Sequence, residues 1–124
     1  AFSARCFTAR AHNLPKDECQ LKCIEYPEGL PMDSQEGDKF LCINGIQTQS
    51  GHISHLLPYW QEMQNLDVAL MRISPQPSYT AEIIQHYHQV LEGNGNAKME
   101  LGKWINVPIC DGYWCGEPGM IAVA

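Results

Sequence analysis

Over residues 55–72 the apolar side chains Tyr59, Trp60, Met63, Leu66 and Leu70, with Ile73 just beyond, recur every three or four positions. That spacing gathers them on one face and predicts an amphipathic helix, ended by Ser74-Pro75-Gln76-Pro77. A second stripe follows at once: Tyr79, Ile83, Ile84, Tyr87, Val90 and Leu91. Ser78 stands where an N-cap belongs, and Gly93-Asn94-Gly95-Asn96 supplies residues that tolerate a positive φ at the far end. The short, proline-bearing link between the two stripes predicts an antiparallel helix pair.

Elsewhere the pattern is weaker. Pro15-Lys16-Asp17-Glu18 opens like a helix, with proline in the first turn and acids at the positive end of the dipole, and predicts one running to Tyr26 before Pro27 stops it. Cys19 and Cys23 share a face of that helix, too far apart to bond to each other. Residues 27–38 read as a loop, because Pro27, Gly29, Pro31, Asp33, Ser34 and Gly37 all carry turn chemistry. The run Phe40-Leu41-Cys42-Ile43 fits either a strand or a buried helix. After Lys98, the residues Met99, Leu101, Trp104, Ile105, Val107 and Ile109 with Gly102 and Pro108 read as strand or irregular chain, and 120–124 as a last edge strand. The expected fold class is α+β, a single domain over residues 1–124 with a few short strands and most of its core on helices.

Cysteine content adds a compartment. Cys6, Cys19, Cys23, Cys42, Cys110 and Cys115 make an even six in 124 residues, which predicts three disulfides and an oxidising, periplasmic or secreted location. Cys110 and Cys115 are the preferred pair, with Cys19 and Cys23 going separately to Cys6 and Cys42 in either order. The start at Ala1-Phe2-Ser3-Ala4, without Met, reads as a chain whose targeting segment has been removed. No asparagine lies in an N-x-[ST] sequon, which favours a bacterial origin. No apolar run approaches the roughly 18–20 residues that span a bilayer.

Charge narrows the partners. Eight basic and fourteen acidic residues give −6, so a phosphate backbone or an anionic membrane surface would be repelled. The acids are densest from Glu25 through Glu28, Asp33 and Glu36 to Asp38, with no basic residue among them. Such a stretch can steer encounter with a basic protein, while Leu30 and Met32 offer apolar contact. Cys110-Asp111-Gly112-Tyr113-Trp114-Cys115 presents Tyr113 and Trp114, residue types that often dominate interface energy. Glu28, Leu30, Met32, Asp33, Glu36, Asp38, Tyr113 and Trp114 are therefore the expected partner-binding residues.

Catalytic signals are absent. His52 and His55 form H-x2-H and His86 and His88 form H-x-H, but no complete zinc signature surrounds them, and side chains two apart on a helix diverge. There is no G-x-S-x-G, no phosphate-cradling glycine loop and no cysteine left over after pairing. No metal, no cofactor and no catalytic residue is expected. Mature size, acidity, paired cysteines, two amphipathic helices and the lack of an enzyme motif together resemble the periplasmic immunity proteins of type VI secretion effectors. The resemblance implies an inhibitor of a secreted toxin, such as a cell-wall-degrading enzyme, and a possible homodimer. The alternatives are a structural component of a secretion, conjugation or pilus apparatus, and a small secreted hydrolase.

Overall fold

The run Phe40-Leu41-Cys42-Ile43 belongs to a strand, and a central one. In the computed structural model, which describes residues 1–96 and 101–123, β2 (Lys39–Asn44) lies between β1 (Leu30–Asp33) and β3 (Gln47–Ser50) in an antiparallel sheet of order β1-β2-β3. Asn44 pairs with Gln47 across a two-residue turn, and Gly45 takes the positive φ (+61°) that such hairpins demand at the first central position. The outer side of β3 is covered by residues 1–3: Phe2 bridges Gln47, and the Ser3 N–H donates to the Ile46 carbonyl at 2.8 Å. The outer side of β1 is open and carries Pro31.

Helix α1 (Phe7–Ala11) packs against β2, and the Thr8 hydroxyl accepts the Gly45 N–H at 3.0 Å. The helix expected from Lys16 to Tyr26 is replaced by two 3-10 turns, Lys16–Glu18 and Lys22–Glu25. Gln20 and Leu21 stand between them at φ +52° each. Two successive left-handed residues cannot lie inside a right-handed helix, so the helix breaks there.

The chain resolves into two compact units, Ala1–His52 and Ile53–Ala124. In the second, β4 (Ile53–Ser54) runs parallel to β5 (Ile109–Cys110). The helix predicted over 55–72 is much shorter: a 3-10 turn at Leu57–Tyr59 leads into α2 (Trp60–Asn65), which ends at Leu66 with Asp67 left-handed at φ +56°. The apolar spacing continues past that point, but Leu70 is 90 % exposed, so nothing rewards a longer helix.

Helix α3 (Thr80–Leu91) matches its stripe, with two changes. Tyr79, left-handed at φ +63°, replaces Ser78 as the N-cap, and the Thr80 hydroxyl accepts the Gln76 N–H and donates to the Gln76 carbonyl. The inward face is Ile83, His86, Tyr87 and Val90, whereas Ile84 and Leu91 are exposed. At its far end Gly93 is left-handed, and the N–H groups of Gly93 and Asn94 close onto the carbonyls of Val90 and Gln89. Helix α4 (Leu101–Trp104) is one turn where strand or irregular chain was expected. Met99 and Ala124 lie outside the described residues, and 120–123 are irregular, not a strand. The fold is mixed α+β, and the buried apolar side chains Ala9, Leu57, Met63, Ile83 and Val90 all sit on helical segments.

The expected disulfides are not formed: all six cysteines are free thiols. Three sulfurs have other partners. Cys6 accepts the Ala9 N–H as the cap of α1, Cys42 donates to the Glu28 carbonyl at 3.1 Å, and Cys115 meets the Tyr59 hydroxyl at 3.0 Å. The loop that a Cys110–Cys115 bridge would close is instead closed by its backbone, through Trp114 N–H to the Asp111 carbonyl and Cys115 N–H to the Gly112 carbonyl.

Candidate functional site

The acidic stretch, read from sequence as a loop, forms one side and the tip of a β-hairpin. Leu30 faces Ile43 and Met32 faces Leu41, which puts these four on one side of the sheet. Between Met32 and Asp33 the register slips, because Asp33 pairs with Lys39; Phe40 is left as the extra residue of a β-bulge. The bulge exposes the Phe40 ring by 48 %.

The tip is tightly tied. The Ser34 hydroxyl accepts the N–H groups of Glu36 and Asp38 at 3.2 Å each, the Ser34 N–H donates to the Asp38 carbonyl, and Gly37 supplies φ +90°. Lys39 Nζ lies 3.1 Å and 3.3 Å from the two carboxylate oxygens of Asp33. Glu28, Glu36 and Asp38 are exposed and have no ion-pair partner among the described residues. Burial, followed by the Glu28 carboxylate, pushes the Cys42 thiol above its ordinary value and keeps it protonated as a donor.

Of the expected binding residues, Met32, Asp33, Glu36 and Asp38 are brought together here, with Glu28 at the base. Leu30 is half-buried on the inner face. Phe40 was missed. Its exposure goes with a bulge that exists only once β1 and β2 are paired, so the run Phe40-Leu41-Cys42-Ile43 alone could not show it.

Tyr113 and Trp114 belong to the second unit and do not act as a pair. Tyr113 is 86 % exposed, whereas Trp114 is half-buried, donates its indole N–H to Glu62 at 3.1 Å, and lies 6.1 Å from the Tyr59 ring. Tyr113 alone remains available as a protruding aromatic.

Beside Trp114 lies a polar cluster with no counterpart in local sequence. Tyr59 donates to the buried Asp111 carboxylate at 2.7 Å, and the other oxygen of Asp111 accepts the Val123 N–H at 2.6 Å. With its one proton committed to the carboxylate, the phenol oxygen accepts from the Cys115 thiol. The hydrogen bonds to Cys115 and then Asp111 raise the Tyr59 phenol well above its ordinary value, so it stays a donor. The arrangement pins the segment after β5 onto the turn before α2.

The histidines do not converge. His86 is buried on α3 with its ring 5.6 Å from Trp104, and His88 is exposed on the same helix. His55 is buried in the second unit with its ring 6.4 Å from Tyr87, and His52 closes the first. Among the described residues, no three His, Cys, Asp or Glu side chains gather as a metal site, and no helix is long and apolar enough to cross a membrane. No protein-family model matches the chain, and no solved structure matches it.

Proposed function

We propose that this chain is a stoichiometric binding protein that holds a basic protein partner through the acidic hairpin of its first unit. The observation that carries the reading is the combination at the hairpin: a tied tip presenting Glu36 and Asp38 without ion-pair partners among the described residues, and exposed Met32 and Phe40 on the two strands that lead to it. Exposed acids lead encounter, and exposed apolar side chains supply contact that lasts. A preordered hairpin also loses little entropy when it docks. The cluster at Asp111 supports a structural role, since its phenol is held protonated between Asp111 and Cys115.

Within that class, the reading is a periplasmic immunity protein that neutralises a secreted toxin such as a cell-wall-degrading effector. The test is affinity capture from the periplasm of the producing cell, with the native chain beside a Glu28→Gln, Glu36→Gln, Asp38→Asn variant. Recovery of one basic enzyme, in equimolar amount and inhibited by the native chain, with slower association by the variant, supports the reading. Recovery of a multiprotein assembly, retained equally by the variant, assigns the chain to an apparatus instead.

A further inference from the structure

The first unit also carries a cleft that the hairpin does not use. Ala4, Arg5, Cys6, Arg10, Leu14 and Lys16 line it, around about 290 Å³. Three of the eight Lys and Arg residues of an acidic chain therefore line one cleft, and no carboxylate is among its lining residues. The two ion pairs among the described residues are Lys22–Glu25 and Lys39–Asp33, so none of the three cations is neutralised that way. An anion seated there would meet cations that no described carboxylate already holds.

Local structure sets their positions. Arg10 projects from the last turn of α1, whose start is capped by the Cys6 thiol; Lys16 Nζ donates to the Ala4 carbonyl at 3.0 Å, which fixes it at the rim with further N–H groups to spare. Two guanidinium forks and an ammonium suit a tetrahedral dianion, because each fork can donate two parallel hydrogen bonds to phosphate oxygens. Ala4 and Leu14 add apolar wall beside the cations, which suits a small substituent on the phosphate. We propose that this cleft binds a phosphate group carried by a small ester, with Arg5, Arg10 and Lys16 as its ligands. The site is independent of the protein-binding hairpin, and either assignment stands without the other.

The test is an amide-resolved NMR titration of the full chain in which inorganic phosphate replaces chloride at constant ionic strength, so that screening is unchanged. Saturable shifts confined to residues 4–16 are expected. Arg5→Gln or Arg10→Gln should weaken the binding about tenfold each, the effect of losing one charge-assisted contact. Both side chains are exposed, and an unchanged spectrum outside the cleft verifies folding; Lys16→Gln serves as the third variant. Glycerol phosphate and vesicles containing phosphatidic acid then separate the sources. Tighter binding of the soluble ester without vesicle retention assigns a soluble ligand, and retention lost in the arginine variants assigns a lipid headgroup. Linear, non-saturating shifts with phosphate, or equal shifts in the native chain and the arginine variants, overturn the proposal.

Discussion

The two units hold their shapes by different means. In the first, Thr8 and Ala9 are the buried side chains, and order comes from a three-stranded ladder, a capped five-residue helix and turn hydrogen bonds. In the second, Leu57, Met63, Ile83 and Val90 are buried, and the polar side chains of His55, His86 and Asp111 are enclosed with them. A unit of about 50 residues has too little interior to bury much, so its apolar side chains end up on the surface. Phe40 and Met32 stand exposed beside the acids for that reason. The lesson is one of placement: a thin, backbone-held unit offers side chains to partners, whereas a side-chain core consumes them.

The largest expected effect lies in the second unit. Leu57 is 1 % exposed, and Leu57→Ala should cost about 2–5 kcal/mol in denaturant unfolding. If the loss is below 1 kcal/mol or so, the second unit lacks the packed core that the comparison assigns to it.

The corresponding weak point of the first unit is backbone, not core. A Cβ added at Gly51 would lie 2.8–2.9 Å from backbone atoms of Lys39 and Phe40, which cannot swing aside. Gly51→Ala should cost about 1–3 kcal/mol, and hydrogen exchange should quicken across β2 and β3. Quickened exchange in α3 instead would show that the two units share one cooperative transition.

Charge at Asp111 comes next. Asp111→Asn keeps the shape but weakens a carboxylate that accepts from Tyr59 and Val123, and should cost about 2 kcal/mol. The pH dependence follows from the phenols of this unit. Hydrogen bonds to Cys115 and Asp111 raise Tyr59, and burial raises Tyr87. A folded value above the unfolded one means stability that is complete below the ordinary phenol range and is lost as pH climbs from there through the folded values. Stability should thus fall above about pH 10, and absorbance titration of the native chain should show phenolate appearing later than in denaturant. In Tyr59→Phe the alkaline fall should shrink.

The smallest stability effect is expected where the largest binding effect lies. Neutralising Glu36 and Asp38 should change unfolding by no more than about 0.5 kcal/mol, since both are exposed and lack ion-pair partners among the described residues. Their loss should slow association and flatten its dependence on salt. A stability loss comparable with that of Gly51→Ala would mean that the acids hold the tip together.

The difference between the units also explains what the sequence made legible. Helix α3 is local, and its stripe, its length and its Gly93 end could all be read from neighbouring residues. Even so, the stripe did not mark the buried face in full, because His86 lies inward while Ile84 and Leu91 are exposed. The hairpin pairs Leu30 with Ile43 across a proline-bearing strand of four residues, and turn chemistry masked so short a strand. Hydrophobic spacing overextended α2, since a period shows which residues could share a face, not whether anything covers them. The cluster of Tyr59, Asp111 and Cys115 joins residues 52 and 56 positions apart, a separation that no motif reports. Cysteine counting failed differently: an even number says that thiols can pair, not that their sulfurs meet.

The edges of the small sheet carry one more consequence, for how the protein behaves in a crowd. An exposed strand edge is a template on which a neighbouring molecule can add its own strand. Here one margin is occupied by residues 1–3. The other margin is only four residues long, and Pro31, opposite Cys42, withholds an outward amide that an added strand from another copy would need. Edge-to-edge growth is thereby discouraged at both margins, so a sheet with little interior of its own can exist at high local concentration without seeding fibrils.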